Sequence, residues 1–121
     1  MHPCSSPILV VEQHPDVRTV IHAALEHEGY TSVPAPSTSR ALRALGWMER
    51  PGLILLDEML EDEDREGFIH YIRESRALRV VPIVLLSVGG VHHPVAGIQA
   101  ILRKPFHLDA LIDVIEAHCL H

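Results

Sequence analysis

The chain has 121 residues, of which 47% are apolar and 4% aromatic, and its formal net charge is −6 with histidine counted as neutral. This length suits one domain, and the apolar content is too high for a disordered chain. The negative charge argues against a sequence-independent nucleic-acid binder, which needs clustered lysine and arginine. The sequence contains neither a membrane-spanning apolar run nor a secretion signal pattern. We therefore expect one soluble domain over residues 1–121, with a core at about 7–119.

The two cysteines, Cys4 and Cys119, lie near opposite ends of the sequence. Two cysteines so placed do not predict a disulfide framework, and we expect a reduced, cytoplasmic protein. Cys119 is interpreted as a packing residue of the last helix.

Short apolar runs alternate with helical patterns along the chain. The apolar runs predict buried strands, and apolar residues spaced by three and four predict helix faces. Pro34 cannot donate a ladder hydrogen bond, so its strand is placed at a sheet edge. In chain order the predicted elements are a strand at 8–11, a helix from Pro15 closed by Gly29, a strand at 31–34, a helix capped by Ser37 or Ser39, a strand at 53–56, a helix carrying Phe68, Ile69 and Ile72, strands at 82–86 and 100–102, and a helix carrying Leu108, Leu111, Ile112 and Ile115.

This alternation predicts an α/β fold with a parallel sheet covered by helices on both faces. The exception is residues 88–97, which hold three glycines and Pro94. That composition leaves room for a helical turn at most.

Polar residues follow the predicted strands. The first strand ends at Glu12-Gln13, the third at Asp57 and the fourth at Ser87, and the fifth runs into Lys104. Ligands of an open parallel sheet bind beyond the carboxyl ends of its strands. Carboxylate and amide oxygens there suit Mg²⁺, and a lysine and a hydroxyl suit a phosphoryl group.

The segments "ILVVE", "LILLDEML", "PIVLLS" and "LRKPF", in this order, resemble the receiver domain of two-component response regulators over residues 7–119. The resemblance implies a doubly wound, flavodoxin-like sheet of five parallel strands in the order 2-1-3-4-5. It also implies a signalling domain and not an enzyme. A histidine kinase or phosphotransfer protein would be its phosphoryl donor, and a downstream protein its output partner. A homodimer is possible, and from the charge and the lack of a membrane-spanning run we expect direct contact with neither nucleic acid nor membrane.

Site residues carry over one by one from this resemblance. Asp57 would be the phosphoacceptor, Ser87 the switch hydroxyl and Lys104 the contact to the phosphoryl group. Mg²⁺ would be held by Glu12, Gln13, Asp57 and the backbone carbonyl of Met59.

The sequence departs from the receiver pattern in four places. Gln13 replaces a second acid, which should weaken Mg²⁺ binding, and Ile101 replaces the rotating aromatic residue. The loop from Asp57 to Gly67 is longer than usual, with Glu61 in place of a frequent proline. The segment from Ser87 to Lys104 is shorter, which predicts a shortened or absent fourth helix.

Three alternatives follow. A pseudo-receiver would use the fold for binding without phosphorylation, in line with Gln13 and Ile101. An aspartyl phosphatase would need a second aspartate where Met59 stands. A flavodoxin-like binder would need a phosphate loop, which Glu12-Gln13-His14-Pro15 does not provide.

Overall fold

The structure, a computed structural model, describes residues 4–60, 65–88 and 97–120. Within these ranges, no helix is both long enough and apolar enough to cross a membrane. The elements in chain order are β1 (Ile8–Val11), α1 (Pro15–His27), β2 (Ser32–Ala35), α2 (Thr38–Leu45), β3 (Leu53–Asp57), α3 (Arg65–Glu74), β4 (Ile83–Val88), β5 (Ala100–Lys104) and α4 (Leu108–His118).

The five strands form one parallel sheet in the order β2-β1-β3-β4-β5, as predicted. The register aligns Val11 with Leu56, Asp57 with Leu86, and Val88 with Lys104. The carboxyl ends of four neighbouring strands therefore lie along one edge, where strand order reverses between β1 and β3.

Side chains of β1, β3 and β4 alternate between two cores, because successive residues of a strand point to opposite faces. Ile8 and Val10 pack with α1 and α4, whereas Leu9 and Val11 pack with α2 and α3. Both faces are covered, which explains why these strands are apolar throughout.

Local signals at the helix ends agree with the structure. Pro15 begins α1, and Gly29 follows its last turn with a φ of 90°. Of the two candidate caps for α2, Ser37 is the one used, and its hydroxyl accepts a hydrogen bond from the Arg40 N–H at 3.2 Å. Pro34 lies exposed in β2 at the sheet edge.

Arg73 of α3 anchors the chain where it enters β5. Its guanidinium donates two hydrogen bonds to the Gly97 carbonyl, at 3.1 and 2.6 Å, and one to the Gln99 side chain at 2.8 Å. It also donates to the carbonyls of Arg79 and Val81 at 2.8 Å each. These contacts hold residues 97–99 against α3 just before β5 begins. The predicted loss of the fourth helix concerns mainly residues 89–96, which lie outside the described residues.

The expectation that the two cysteines are reduced and unpaired was wrong, whereas Cys119 does pack in the buried core as expected. Cys4 and Cys119 are buried and joined by a disulfide, with their Cα atoms 5.9 Å apart. Both sulfurs lie over Gly52, where an added Cβ would come within 2.8 Å of each. The pairing is formed because the segment before β1 and the end of α4 meet at the amino-terminal edge of the sheet, which separation along the chain does not reveal.

Candidate functional site

Four of the predicted residues meet at the carboxyl edge of the sheet. Glu12, Asp57 and Ser87 have no exposed surface, and the Lys104 side chain is 16% exposed. Uncompensated burial of charged groups is costly, so the contacts among them decide what the site can do.

Lys104 is the cation that balances the two buried acids. Its Nζ lies 2.5 Å from Glu12 Oε1 and 3.3 Å from Asp57 Oδ1. Since β5 is separated from β3 by β4, this side chain crosses one strand to reach Asp57 and two to reach Glu12. A single ammonium therefore links the ends of three strands.

The two oxygens of Asp57 differ in their surroundings. Oδ1 accepts hydrogen bonds from the Met59 N–H at 3.0 Å and from Lys104. Oδ2 is buried and has no hydrogen-bond partner among the described residues. A buried carboxylate oxygen without a donor is destabilising in a purely structural role, and it is an available nucleophile or metal ligand.

Glu12 and Asp57 respond differently to burial. Burial, followed by the closeness of the Asp57 carboxylate, raises the pKa of Glu12 above its ordinary 4.5. Burial alone would also raise the pKa of Asp57. The neighbouring Glu12 carboxyl, the hydrogen bond from the Met59 N–H and the charge of Lys104 lower it below 3.8 instead. Glu12 thus takes up a proton first, and Asp57 stays ionised over the wider pH range.

Ser87 has a partner that the sequence did not indicate. Its hydroxyl donates a hydrogen bond to Glu58 Oε2 at 2.8 Å. The adjacent acid in "LLDEM" was the available signal, but its role depends on which neighbouring strand its side chain reaches.

Two of the predicted metal ligands, Gln13 and Met59, follow the buried acids Glu12 and Asp57 within two residues along the chain. Glu12 also accepts from the His14 N–H at 3.0 Å, and the Gln13 carbonyl accepts from Arg18 at 3.2 Å. Within residues 4–60, 65–88 and 97–120, no three His, Cys, Asp or Glu side chains group as a metal cluster. A cation here would therefore depend on amide and carbonyl oxygens beside the carboxylates. The Asp57 Oδ2, without a donor in the part of the chain that the structure describes, and this set of hard oxygen donors fit Mg²⁺.

An apolar groove of about 470 Å³ borders the site between α1 and the turn after β5. Val20, Val88 and Leu108 are about half exposed there. Its apolar lining comprises Val17, Val20, Ile21, Val88, Phe106 and Leu108.

The amino-acid sequence is similar to proteins of a known family. The chain matches the family model of the response regulator receiver domain over residues 8–116. It is 32% identical to the nitrogen assimilation regulatory protein NtrX of Azorhizobium caulinodans, covering 90% of this chain and 25% of NtrX. It is also 32% identical to the phosphate regulon transcriptional regulatory protein PhoB of Escherichia coli, covering 91% of this chain and 50% of PhoB. The chain thus spans between a quarter and half of these relatives.

One similar solved structure contains a metal ion. The receiver domain of a sensor histidine kinase from Pseudomonas aeruginosa, 28% identical, superposes with a TM-score of 0.84 over 95% of this chain and 98% of that one. Its crystal structure has a magnesium ion coordinated in the active-site cleft. By its family match and its sheet order, this chain belongs to the response regulator receiver domains of two-component signalling.

Proposed function

We propose that this domain, formed by residues 1–121, accepts a phosphoryl group on Asp57 from a phosphohistidine of a kinase or phosphotransfer protein in the cytoplasm. The single observation that carries the proposal is the buried Oδ2 of Asp57, which has no hydrogen-bond partner within residues 4–60, 65–88 and 97–120. Lys104 and the Met59 N–H hold the other oxygen, so the carboxylate is fixed, and among the described residues nothing donates to the oxygen that would attack.

The chemistry is nucleophilic substitution at phosphorus. Oδ2 of Asp57 forms the new P–O bond, and the P–N bond of the donor breaks with its electron pair returning to the imidazole ring. Lys104 offsets negative charge that develops beside Oδ1, at 3.3 Å in the resting protein. After transfer, the Ser87 hydroxyl donates to a phosphoryl oxygen.

Magnesium would be held by Glu12, Asp57, the Gln13 amide oxygen and the Met59 carbonyl. The bound ion would neutralise charge on the phosphoryl oxygens. Because Gln13 supplies no negative charge, affinity for the ion should be lower than with a second acid.

The apolar groove supports docking of the phosphoryl donor. It includes Lys104 and adjoins the strand end that carries Ser87, so a helix seated there could bring its phosphohistidine to Asp57. Exposed apolar side chains that form a contiguous patch mark protein interaction sites. Output then proceeds through a downstream protein.

Intact mass spectrometry after incubation with acetyl phosphate and Mg²⁺ tests the proposal. We expect one added phosphoryl group on the wild-type chain, removed by hydroxylamine, and none on Asp57→Asn. Equal labelling of both chains would contradict the assignment of the acceptor.

A pseudo-receiver remains the second candidate, favoured by the hydrogen bond that ties Ser87 to Glu58 in place of a phosphoryl oxygen. It predicts partner binding that is unchanged by beryllofluoride. A pull-down with and without this phosphoryl mimic distinguishes the two functions.

A further inference from the structure

Glu58 follows the acceptor directly and contacts the hydroxyl on the neighbouring strand. We propose that Glu58 is a positioning residue that holds Ser87 in an inactive position, and that Ser87 must leave Glu58 when Asp57 is phosphorylated. The inference rests on the proposed function and adds a residue that sets how readily the domain switches.

Glu58 is itself fixed on both sides. Its N–H donates to the Leu86 carbonyl at 2.8 Å, which continues the pairing of β3 with β4 beyond Asp57. Its carbonyl accepts from Arg65 Nη1 at 2.6 Å, at the start of α3. The backbone is therefore held between a strand and a helix, and the partly buried carboxylate is presented to β4.

The hydroxyl hydrogen of Ser87 cannot serve two acceptors well at once. A serine hydroxyl has one hydrogen, and a carboxylate oxygen only accepts, so this hydrogen is committed to Glu58 in the resting protein. A phosphoryl oxygen on Asp57 competes for the same hydrogen.

Phosphorylation also changes the charge beside Glu58. A phosphoryl group carries about −1.5 to −2 charges near neutral pH. Repulsion between it and the Glu58 carboxylate opposes the resting contact at the moment when Ser87 gains a better acceptor. The Ser87 hydroxyl thus has two arrangements, one donating to Glu58 and one donating to the phosphoryl group. Glu58 stabilises the first, which is the resting one.

A double-mutant cycle on the full chain separates competition for the hydroxyl from simple charge repulsion. The probe is beryllofluoride with Mg²⁺. Its binding is measured by calorimetry and by the NMR shift of the backbone amide at position 87, which is serine or, in two of the variants, alanine. The variants are Glu58→Ala, Ser87→Ala and the double variant, with Glu66→Ala as an exposed acid of the same charge on the first turn of α3.

We expect Glu58→Ala to tighten beryllofluoride binding about tenfold, because a hydrogen bond to a charged group contributes about that factor. The gain should largely disappear when Ser87 is alanine, and Glu66→Ala should change affinity less than twofold. A gain of equal size in both Ser87 backgrounds would reduce Glu58 to a repelling charge and overturn the proposal.

Glu58→Gln provides a second cycle if Glu58→Ala does not fold. Its amide oxygen keeps an acceptor for Ser87 but loses the charge, so we expect a gain smaller than that of alanine and again dependent on Ser87. If wild type binds the mimic through Asp57 and the cycle is additive, only the role of Glu58 is lost. If neither wild type nor any Glu58 variant binds it, both the role of Glu58 and the phosphoacceptor function are refuted.

Discussion

Lys104 offers a quantitative test of the site, because one ammonium balances two acids that are wholly buried. At an effective dielectric constant of about 20, Coulomb's law gives about 5 kcal/mol for its 3.3 Å contact and about 7 kcal/mol for its 2.5 Å contact. Desolvation of the three groups offsets most of this attraction. Removing one partner of a buried ion pair typically costs about 3–5 kcal/mol, and we expect a loss in that range at pH 7 for Lys104→Met.

The loss should depend on pH with a definite sign. Without the ammonium, the pKa values of Glu12 and Asp57 should both rise above the ordinary 4.5 and 3.8. A carboxylate whose folded-state pKa exceeds its unfolded value destabilises the fold progressively as pH rises past the unfolded value. The deficit of the variant should therefore be smaller at pH 4 than at pH 7, and it should disappear only as the pH falls through the lowered pKa of Asp57 in wild type.

Urea unfolding of wild type and variant at pH 4 and pH 7 measures both quantities. Lys104→Met keeps the aliphatic stem, so lost packing is separated from lost charge. Lys104→Arg should restore the charge but only part of the response to beryllofluoride, because a planar fork replaces a compact ammonium. Equal stability of Lys104→Met and wild type at pH 7, or the same deficit at both pH values, would show that Lys104 does not balance the two buried acids.

Three further substitutions probe the metal site, the strand connection and the groove. Gln13→Asp should tighten Mg²⁺ binding about fivefold or more in a calorimetric titration, since one added charge near the ion contributes about 1 kcal/mol even in water. An unchanged isotherm would show that this side chain lies away from the ion. Arg73→Lys should lower the free energy of unfolding by about 1–3 kcal/mol and speed amide exchange at residues 97–99, because an ammonium cannot reach the carbonyls that the guanidinium joins. Val20→Glu should raise the KM for transfer from a cognate kinase about tenfold while leaving acetyl phosphate labelling intact. Tyr71→Glu, at a similarly exposed position of α3, is its control, and equal effects of the two would exclude the groove as the docking surface.

The parallel sheet and the residue types at its carboxyl edge could both be predicted from the sequence. Apolar runs without polar alternation, separated by helical patterns, indicate a parallel sheet with two covered faces, and the carboxyl ends of parallel strands lie at one edge. The contact of Lys104 with Glu12 and Asp57 follows from that geometry, although the roles of these residues stay predictions. No comparable rule locates Ser87 against Glu58, because the choice of partner depends on side-chain direction across two strands.

The cysteine pair was unpredictable for a different reason. Nothing local marks Cys4 and Cys119 as neighbours, since their contact depends on how the segment before β1 meets the end of α4 beside Gly52. Sequence reasoning also could not choose between Ser37 and Ser39 as the cap of α2. That choice depends on which residue has extended backbone angles, and Ser37 has a φ of −155° and a ψ of 166°.

The disulfide between Cys4 and Cys119 also bears on how the domain would carry mechanical load. It joins the segment before β1 to the end of α4, with 115 residues of separation along the chain, so the elements described above lie between its two ends. A pulling force applied outside the two cysteines would pass through this covalent bond and bypass the hydrogen bonds of the sheet. With the bond reduced, the same force would act on β1 and α4, whose attachment to the rest of the domain is non-covalent.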